Sequence, residues 1–426
     1  MVLFAPLKDV KWRIFTRNLY LCSSIRFHKT MIPTDTPNKA LSRFQVMLMA
    51  VAAGISVANI YYNQPILKDL SLTFGCTEAQ AGLTSMLAQI GYGLGLFFIT
   101  PLGDKVNKKS LIVNLLMFLF LSLILMIFSA SIVQVWILSV LIGILSVAVQ
   151  VILPMAAGLD SVNRGKTVGT IFTGILIGIL AARVFSGAIA EWLSWRWVYG
   201  FSAVAVLAVT VLLKTYLPEV ETPFKGSYLK LLSSALGMLP RYPLLRKVAL
   251  MGAFQFGLFC SFWTTLTFHL SGAPFRFHTD TIGLFGLVAI AGALMAPLFG
   301  KQSDRGNTNR VQLYAITMMI AAILLMLFFG QSVILLVAAV LLLDIGAQAM
   351  QVTNVALIYT LDELSHSRIN TIYMTTFFTG GALGTFVGLL CWQAGGWLWV
   401  TLQMLTWAVM ILLILIGFRA KTAKVF

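Results

Sequence analysis

The chain has 426 residues, of which 59% are hydrophobic and only 10% are charged. A water-soluble domain of this length does not need so much apolar surface to form a core, so lipid is the expected solvent for most of the chain. The formal charge of +16 does not indicate nucleic-acid binding, because the Lys and Arg residues fall between apolar runs and form no single basic face with interleaved aromatic residues.

The sequence carries no signature of a catalytic or metal-binding site. Its four cysteines stand singly, and its four histidines show no i, i+4 pairing. No nucleophile elbow, phosphate-binding loop or dinucleotide fingerprint occurs. The sequence therefore predicts no enzyme, no cofactor and no metal ligand.

Twelve apolar segments follow one another, each about as long as the roughly 20 residues that a helix needs to cross a bilayer. We number them as spans 1 to 12. Their approximate bounds are 45–67, 79–101, 110–130, 133–157, 166–190, 196–217, 247–271, 279–300, 310–329, 332–358, 369–392 and 395–418. The predicted fold class is an all-α membrane protein of twelve transmembrane helices.

The positive charges predict the orientation of these spans, because loops rich in Lys and Arg stay on the cytoplasmic side. The amino-terminal segment, the even-numbered connections and the tail hold 26 of the 30 Lys and Arg residues. The odd-numbered connections hold only Lys68, Arg196 and Arg276, and Arg183 is the one cation inside a span. Both termini are therefore expected in the cytoplasm, with the chain in the inner membrane of a bacterium.

A central basic connection at 218–246 with four prolines divides the chain into two six-helix bundles at 44–217 and 247–418, followed by a tail at 419–426. Its stretch from Tyr228 fits either a short amphipathic surface helix or a plain linker. Residues 1–43 form a basic extension, expected to be cytoplasmic. This extension fits a disordered segment, a surface helix or an organellar targeting peptide. Alternatively, translation starts at Met31 and the residues before it have no function.

The two halves share features that indicate an internal duplication. The acid-base dipeptide Asp104-Lys105 follows span 2, and Asp304-Arg305 follows span 8. A stripe of small residues at every fourth position occurs in span 5, and another occurs in span 11, which allows close approach of helix backbones. The two stripes are Gly174, Gly178, Ala182 and Ser186, and Gly380, Gly384 and Gly388. Repeated halves around one central site are typical of secondary transporters.

The chain resembles the major facilitator superfamily over about 45–418. The most specific match is Leu102-Gly-Asp104-Lys105-Val-Asn-Lys108-Lys109, which is similar to the family's loop between helices 2 and 3, with a weaker copy at Asp304-Arg305-Gly306. By this resemblance, Asp104, Lys105, Asp304 and Arg305 form a cytoplasmic gate between two pseudo-symmetric bundles. The family's loop Asp lies near the amino end of helix 11, where the helix dipole favours an anion.

Within that superfamily the chain most resembles bacterial drug:proton antiporters and related efflux permeases. The motifs that carry this likeness are Ala58-Asn59-Ile-Tyr61-Tyr62-Asn63-Gln64-Pro65 and Asp344-Ile-Gly346-Ala-Gln348. Two positions depart from those antiporters: Ser139 stands where they carry an Arg, and Ala182-Arg183 where they carry Gly-Pro.

Two charged residues inside spans are candidates for a functional site, since an ionised group at bilayer depth costs about 2.5–3.5 kcal/mol on insertion scales. Asp344 lies about twelve residues into span 10, near the midplane at about 1.5 Å per residue. We interpret it as the group that binds a proton or cation. Arg183 is then its counter-charge or an anchor for an anionic substrate. A structural pair, or an Arg that reaches to the interface, is the alternative.

Polar side chains in four spans are expected to line a substrate cavity, because helices 1, 4, 7 and 10 surround the substrate in the resembled fold. The candidates are Asn59, Tyr62, Asn63, Gln64, Gln89, Tyr92, Gln150, Gln348, Gln351 and Asn354. Aromatic residues of span 7, including Phe259 and Trp263, could stack on a planar substrate, although core packing is the commoner role. Hydrogen bonding between helices is the alternative for each amide.

The sequence thus predicts a monomeric secondary transporter that binds a small-molecule substrate and protons within the lipid bilayer. Efflux driven by protons is the leading hypothesis, with uptake by proton symport or facilitated diffusion as the alternative. A membrane enzyme or receptor is a remote alternative, because neither a catalytic constellation nor an extramembrane domain is visible.

Overall fold

The computed structural model describes residues 41–160, 163–219, 227–289, 308–362 and 365–422, with side chains up to residue 417. Regular structure in these ranges is helical. Nine helices there are long and apolar enough to cross a membrane, and the last of them contains two predicted spans. The amino-terminal extension and the predicted gate residues Asp304 and Arg305 lie outside the described residues.

The helices of the first half are numbered to match the predicted spans. They are α1 (Arg43–Ala58), α2 (Glu78–Phe98), α3 (Lys108–Ile127), α4 (Ile132–Leu159), α5 (Arg164–Trp192) and α6 (Trp195–Tyr216). Capping boxes start α1 at Ser42 and α2 at Thr77, each with a Gln side chain that returns to the cap backbone.

The second half continues in the same order. Its helices are α7 (Pro243–Ser271), α8 (Thr279–Ala289 within the described residues), α9 (Thr308–Phe329) and α10 (Val333–Tyr359). A single run, His366–Thr422, breaks at Gly395 and Gly396, which have non-helical backbone angles, into α11 at 366–394 and α12 at 397–422. The central connection contains the helices Tyr228–Leu236 and Met238–Arg241, so this stretch is helical, while its position on the membrane surface stays a prediction.

Two predicted spans are not continuous helices. Span 1 was expected to be helical through residue 67, but α1 ends at Ala58 and a second short helix begins only at Leu67. Pro65 accounts for part of this break, because it has no N–H and disfavours helical backbone at Gln64. Residues 59–66 are all buried. Irregular backbone at bilayer depth is tolerated in such places, inside protein or along a cavity.

Helix α4 is likewise interrupted between Leu145 and Ala148. The hydroxyl of Ser56 in α1 donates to the carbonyl oxygen of Ser146 at 2.9 Å, so this backbone oxygen has a partner at the break. The break in α4 therefore contacts the last turn of α1, just before α1 ends at Ala58.

The two stripes of small residues make equivalent contacts in the two halves. A Cβ atom on Gly178 of α5 would lie 2.2 Å from the carbonyl oxygen of Gly54 in α1. A Cβ atom on Gly384 of α11 would lie 2.1 Å from the carbonyl oxygen of Gly257 in α7. Helices α1 and α5 thus touch backbone to backbone, as do α7 and α11, which is the pairing that a duplicated bundle requires.

Buried apolar side chains form two cores, one drawn mainly from α1 to α6 and one from the second half, between Met251 and Leu415. We call the end where α1 begins the inner side and the opposite end the outer side, following the predicted orientation. Two of the predicted cavity residues, Tyr62 and Tyr92, belong to the first core.

Candidate functional site

Arg183 of α5 lies in the interior, with only 2% of its surface exposed. Small residues let α8 approach it: a Cβ on Gly286 would lie 3.0 Å from the Arg183 Cβ atom. The Nε atom of Arg183 donates to Oε1 of Gln64 at 2.8 Å. The guanidinium carbon lies 4.0 Å from the ring centre of Trp263 and 5.3 Å from that of Tyr61. The cation is therefore held by π faces and an amide.

Asp344 of α10 is the buried acid of the site, with 3% of its surface exposed. Its carboxylate and the Arg183 guanidinium lie near enough to attract each other, yet they are not in ion-pair contact. Within the described residues, Oδ2 of Asp344 and Nη2 of Arg183 are both buried without a hydrogen-bond partner. Buried polar atoms are rarely left unpaired, so these two charges leave binding capacity for a guest molecule or water.

The irregular segment between α1 and the helix Leu67–Phe74 carries four of the predicted cavity residues. Asn59 accepts from the Ser202 hydroxyl of α6 at 2.8 Å, and Asn63 accepts from the Ser85 hydroxyl of α2. The ring of Tyr62 packs 6.1 Å from that of Phe185. These contacts fix the segment in place, while Gln64 alone among the four bonds directly to Arg183.

Gln89 and Tyr92 of α2 face other elements. Gln89 accepts from the Thr385 hydroxyl of α11 at 3.3 Å, and Gln150 of α4 donates to the Tyr92 hydroxyl at 2.9 Å. Gln89 also lies at the wall of a cavity of about 520 Å³ between α2 and α11, within the usual range for small-molecule sites. The cavity is otherwise mainly apolar, with Phe97, Phe98 and Phe386 among its walls.

The polar side chains of α10 form hydrogen bonds with two neighbouring helices, α11 and α9. Gln348 is half-buried, and Gln351 accepts from the Tyr373 hydroxyl of α11 at 2.8 Å. Asn354 instead accepts from Gln312 of α9 at 2.8 Å. At about 100° per residue, Asn354 points some 80° away from Asp344 and about 60° from Gln351, so this amide lies at the edge of the polar face and joins α10 to α9.

The two halves contact each other on the outer side of Arg183. The Thr279 hydroxyl at the start of α8 donates to Asp69 at 3.2 Å, and its backbone N–H donates to Glu191 at 3.1 Å. The Nε1 atom of Trp392 in α11 donates to Glu78 of α2 at 2.8 Å. These hydrogen bonds join the two halves on the outer side.

Asp69 lies beyond predicted span 1, in a partly buried acidic setting. Its pKa is raised to about 6, chiefly by burial; the hydrogen bond from Thr279 opposes this shift and the nearby Glu191 carboxylate adds to it. Glu191 also pairs with His278 at 3.1 Å. The ionised form of Asp69 is therefore disfavoured at the contact between the two halves.

The predicted inner gate is only partly described. Asp104 ends a 3₁₀ turn, Thr100–Asp104, and is exposed, without a hydrogen bond or ion pair to the described residues. Lys105 is exposed too. The role of this loop as a gate stays a prediction, and its partner pair at 304–305 lies outside the described ranges.

Sequence reasoning missed the outer contact and treated Trp263 chiefly as a core aromatic. The signal for Trp263 was present, since an Arg inside a span needs a partner and span 7 is rich in aromatic rings. The outer contact joins residues about 200 positions apart, which no local pattern indicates. His269 of α7 is buried, its Nε2 atom lies 2.9 Å from the Gly330 carbonyl oxygen, and its ring stacks on that of Trp397.

Comparison with known proteins identifies the family. The family model described as Major Facilitator Superfamily matches residues 49–388. The chain belongs to that superfamily. It is 35% identical over 379 residues to the uncharacterized transporter YgaY of Escherichia coli O157:H7, covering 89% of this chain and 96% of that protein.

Two more distant proteins agree with this assignment. The probable transporter SCO4007 of Streptomyces coelicolor is 28% identical over 374 residues, covering 85% of this chain and 87% of the relative. A bacterial homolog of the human lysosomal transporter Spinster, solved in an inward-facing and occupied conformation, is 14% identical with a TM-score of 0.72, and covers 90% of this chain and 97% of that structure. The protein is a multi-pass membrane transporter and not an enzyme, and it has the major facilitator fold.

Proposed function

We propose that this transporter exports a small solute from the cytoplasm in exchange for protons, with Asp344 as the group that binds the proton. The observation that carries the proposal is the Asp344 carboxylate, which is 3% exposed and has Oδ2 unpartnered among the described residues. In this proposal both termini lie in the cytoplasm of a bacterial cell, and the loop with Asp104 acts as the inner gate.

An unpaired carboxylate is suited to coupling because its charge changes the cost of burial. When Asp344 carries a proton, its carboxyl group bears no charge at bilayer depth, whereas an ionised acid there costs about 2.5–3.5 kcal/mol on insertion scales. A bound substrate that compensates the charge removes the same penalty. Closure is then possible with a proton or with substrate, and the two alternate.

The location between the halves supports the same role. Arg183 reaches the site from the first half, and Asp344 reaches it from the second. The halves are hydrogen-bonded on the outer side, through Thr279 and Trp392. When these contacts break and the inner side closes, protons reach Asp344 from the outer side instead of the inner side. Such a change of side is the requirement for alternating access.

The proposal can be tested in everted membrane vesicles that hold an acid-inside pH gradient, reported by quenched acridine orange fluorescence. Compounds of diverse chemistry are added one at a time, and a transported compound releases the quench only in vesicles that contain the protein. Asp344→Asn should abolish this release. Glu219→Gln is the matched control, because it removes one acid from the exposed central connection and should leave the release unchanged.

Equal release by wild type and Asp344→Asn would refute the role of Asp344. If compounds cross without any effect on the gradient and are not slowed by a protonophore, the transporter works by facilitated diffusion and the coupling proposal fails.

A further inference from the structure

We propose that the solute is a zwitterion with an apolar side group, whose carboxylate binds Arg183 and Trp263 and whose ammonium group binds Asp344. This inference rests on the proposed function, since it uses Asp344 as the group shared by proton and substrate. It adds the chemical class of the solute, which follows from the unpaired atoms on the two sides of the site.

The anion half of the site has two free donors. Within the described residues, Nη2 of Arg183 and Nε1 of Trp263 are buried and have no acceptor. They belong to side chains in contact, since the guanidinium carbon lies 4.0 Å from the Trp263 ring centre. The Gln64 amide already uses Nε of Arg183 and so limits rotation of the guanidinium. A carboxylate has two oxygens to accept from two such donors.

The cation half has a free acceptor. Oδ2 of Asp344 lacks a donor, and the Arg183 guanidinium that attracts it is not in contact with it. Direct pairing of these two charges would have satisfied both, so their separation leaves one positive and one negative group for a guest. A solute with one carboxylate and one ammonium group supplies the missing partner on each side.

Charge balance then links the solute to the direction of coupling. An ammonium group and a proton compete for the same Asp344 oxygen, so a zwitterion binds as the proton leaves, which is exchange. A solute with a carboxylate alone would balance Arg183 best when Asp344 is protonated, and would travel together with the proton. A proton-driven exporter is therefore matched to a zwitterion or cation, and the Arg183 donors select the zwitterion.

Aromatic rings beside the donors indicate an apolar side group. Phe259 is half-buried and lies 6.2 Å, ring centre to ring centre, from Trp263, and Tyr61 faces the guanidinium from the first half. Such rings bury hydrocarbon and leave the polar atoms of the site to fix orientation.

The test uses matched trios of probes with one carbon skeleton each. Phenylalanine, phenethylamine and 3-phenylpropionate form one trio, and leucine, isopentylamine and 4-methylpentanoate form another. Binding to the purified full chain is measured as the shift in thermal unfolding temperature and by isothermal titration. The zwitterion of at least one trio should bind about tenfold or more tightly than its amine and its acid, because each lacks one charged hydrogen-bonding group.

Substitutions at Arg183 and Asp344 should each remove the preference for the zwitterion over a different member of the trio. Arg183→Gln should lose the advantage of the zwitterion over the amine, and Asp344→Asn should lose its advantage over the acid. Trp263→Phe keeps the ring but removes one donor, so it should weaken the zwitterion and the acid and leave the amine unchanged. Binding of the zwitterion should also weaken as the pH falls, because protons compete with its ammonium group for Asp344.

Two results would overturn the inference. One is that, for every trio, the wild-type protein binds the acid as tightly as the zwitterion. The other is absence of zwitterion binding while another class of compound still releases the vesicle pH gradient through Asp344, which leaves proton exchange intact. Loss of the Asp344 dependence itself would instead refute the proposed function.

Discussion

Gly178→Ala is expected to push α1 and α5 apart. Its added Cβ atom would lie 2.2 Å from the Gly54 carbonyl oxygen and 2.6 Å from the Gly54 Cα atom, whereas real Cβ contacts are essentially never under 3.0 Å. Both opposing atoms are backbone and cannot rotate away. The helices must therefore separate by roughly 1 Å, a change of the kind that costs about 1–3 kcal/mol in packed cores.

The replacement also stabilises the helix, since Ala is favoured over Gly inside a helix by roughly 0.5–1 kcal/mol. Gly169→Ala in the same helix is the control that measures this stabilisation alone, because a Cβ atom there would have no atom within 4 Å. Gly384→Ala is the equivalent change in the second half, where the Cβ would lie 2.1 Å from the Gly257 oxygen.

Thermal unfolding of the three variants in one detergent measures these effects. A loss of 1 kcal/mol lowers Tm by about 2–4 °C for a domain of 150–250 residues. Gly178→Ala and Gly384→Ala should fall below wild type by similar amounts, while Gly169→Ala should match or exceed it. If Gly178→Ala unfolds at the temperature of Gly169→Ala, the two helices do not touch backbone to backbone and the packing argument is refuted.

Two further predictions concern the outer contact between the halves. Because the pKa of Asp69 in the folded protein, about 6, is above its ordinary value of 3.8, its ionised form opposes folding, and the penalty grows as the pH rises from 3.8 to about 6 and is constant above that. Asp69→Asn should therefore raise Tm relative to wild type at neutral pH and lose that advantage near pH 4; an advantage that does not change with pH would contradict this reasoning. Trp392→Phe removes the hydrogen bond to Glu78 at 2.8 Å, so amide hydrogen exchange in the helix Leu67–Phe74 should accelerate, and unchanged exchange there would show that the bond does not hold the outer side closed.

The membrane spans were predictable because a helix in lipid must be long and apolar, and the sequence contains little else. The backbone breaks were less visible. Pro65 marks a break in span 1, but the helix already ends at Ala58, seven residues earlier, where local composition alone looks helical. The interruption of α4 near Ser146 likewise depends on contacts with α1 that arise only in the folded bundle.

The two charges of the site were predictable and their partners were not. Arg183 and Asp344 stand out because charge is rare inside spans. Gln64 and Trp263 come from other helices, and no spacing in the chain relates them to Arg183. For the amides, hydrophobic periodicity shows which face of a helix is polar, but not which neighbour that face meets. Asn354, which bonds to α9, illustrates this limit.

The break at Gly395 and Gly396 has a mechanical consequence. Gly396 has φ 64° and ψ −146°, a backbone that other residues adopt with difficulty, so the chain reverses between α11 and α12 with almost no slack. Trp397, just past the turn, donates to the Met326 carbonyl of α9 at 3.2 Å. Because only two residues separate α11 from α12 and Trp397 bonds to α9, we expect a tilt of α11 to displace the start of α12 and, through Trp397, the end of α9.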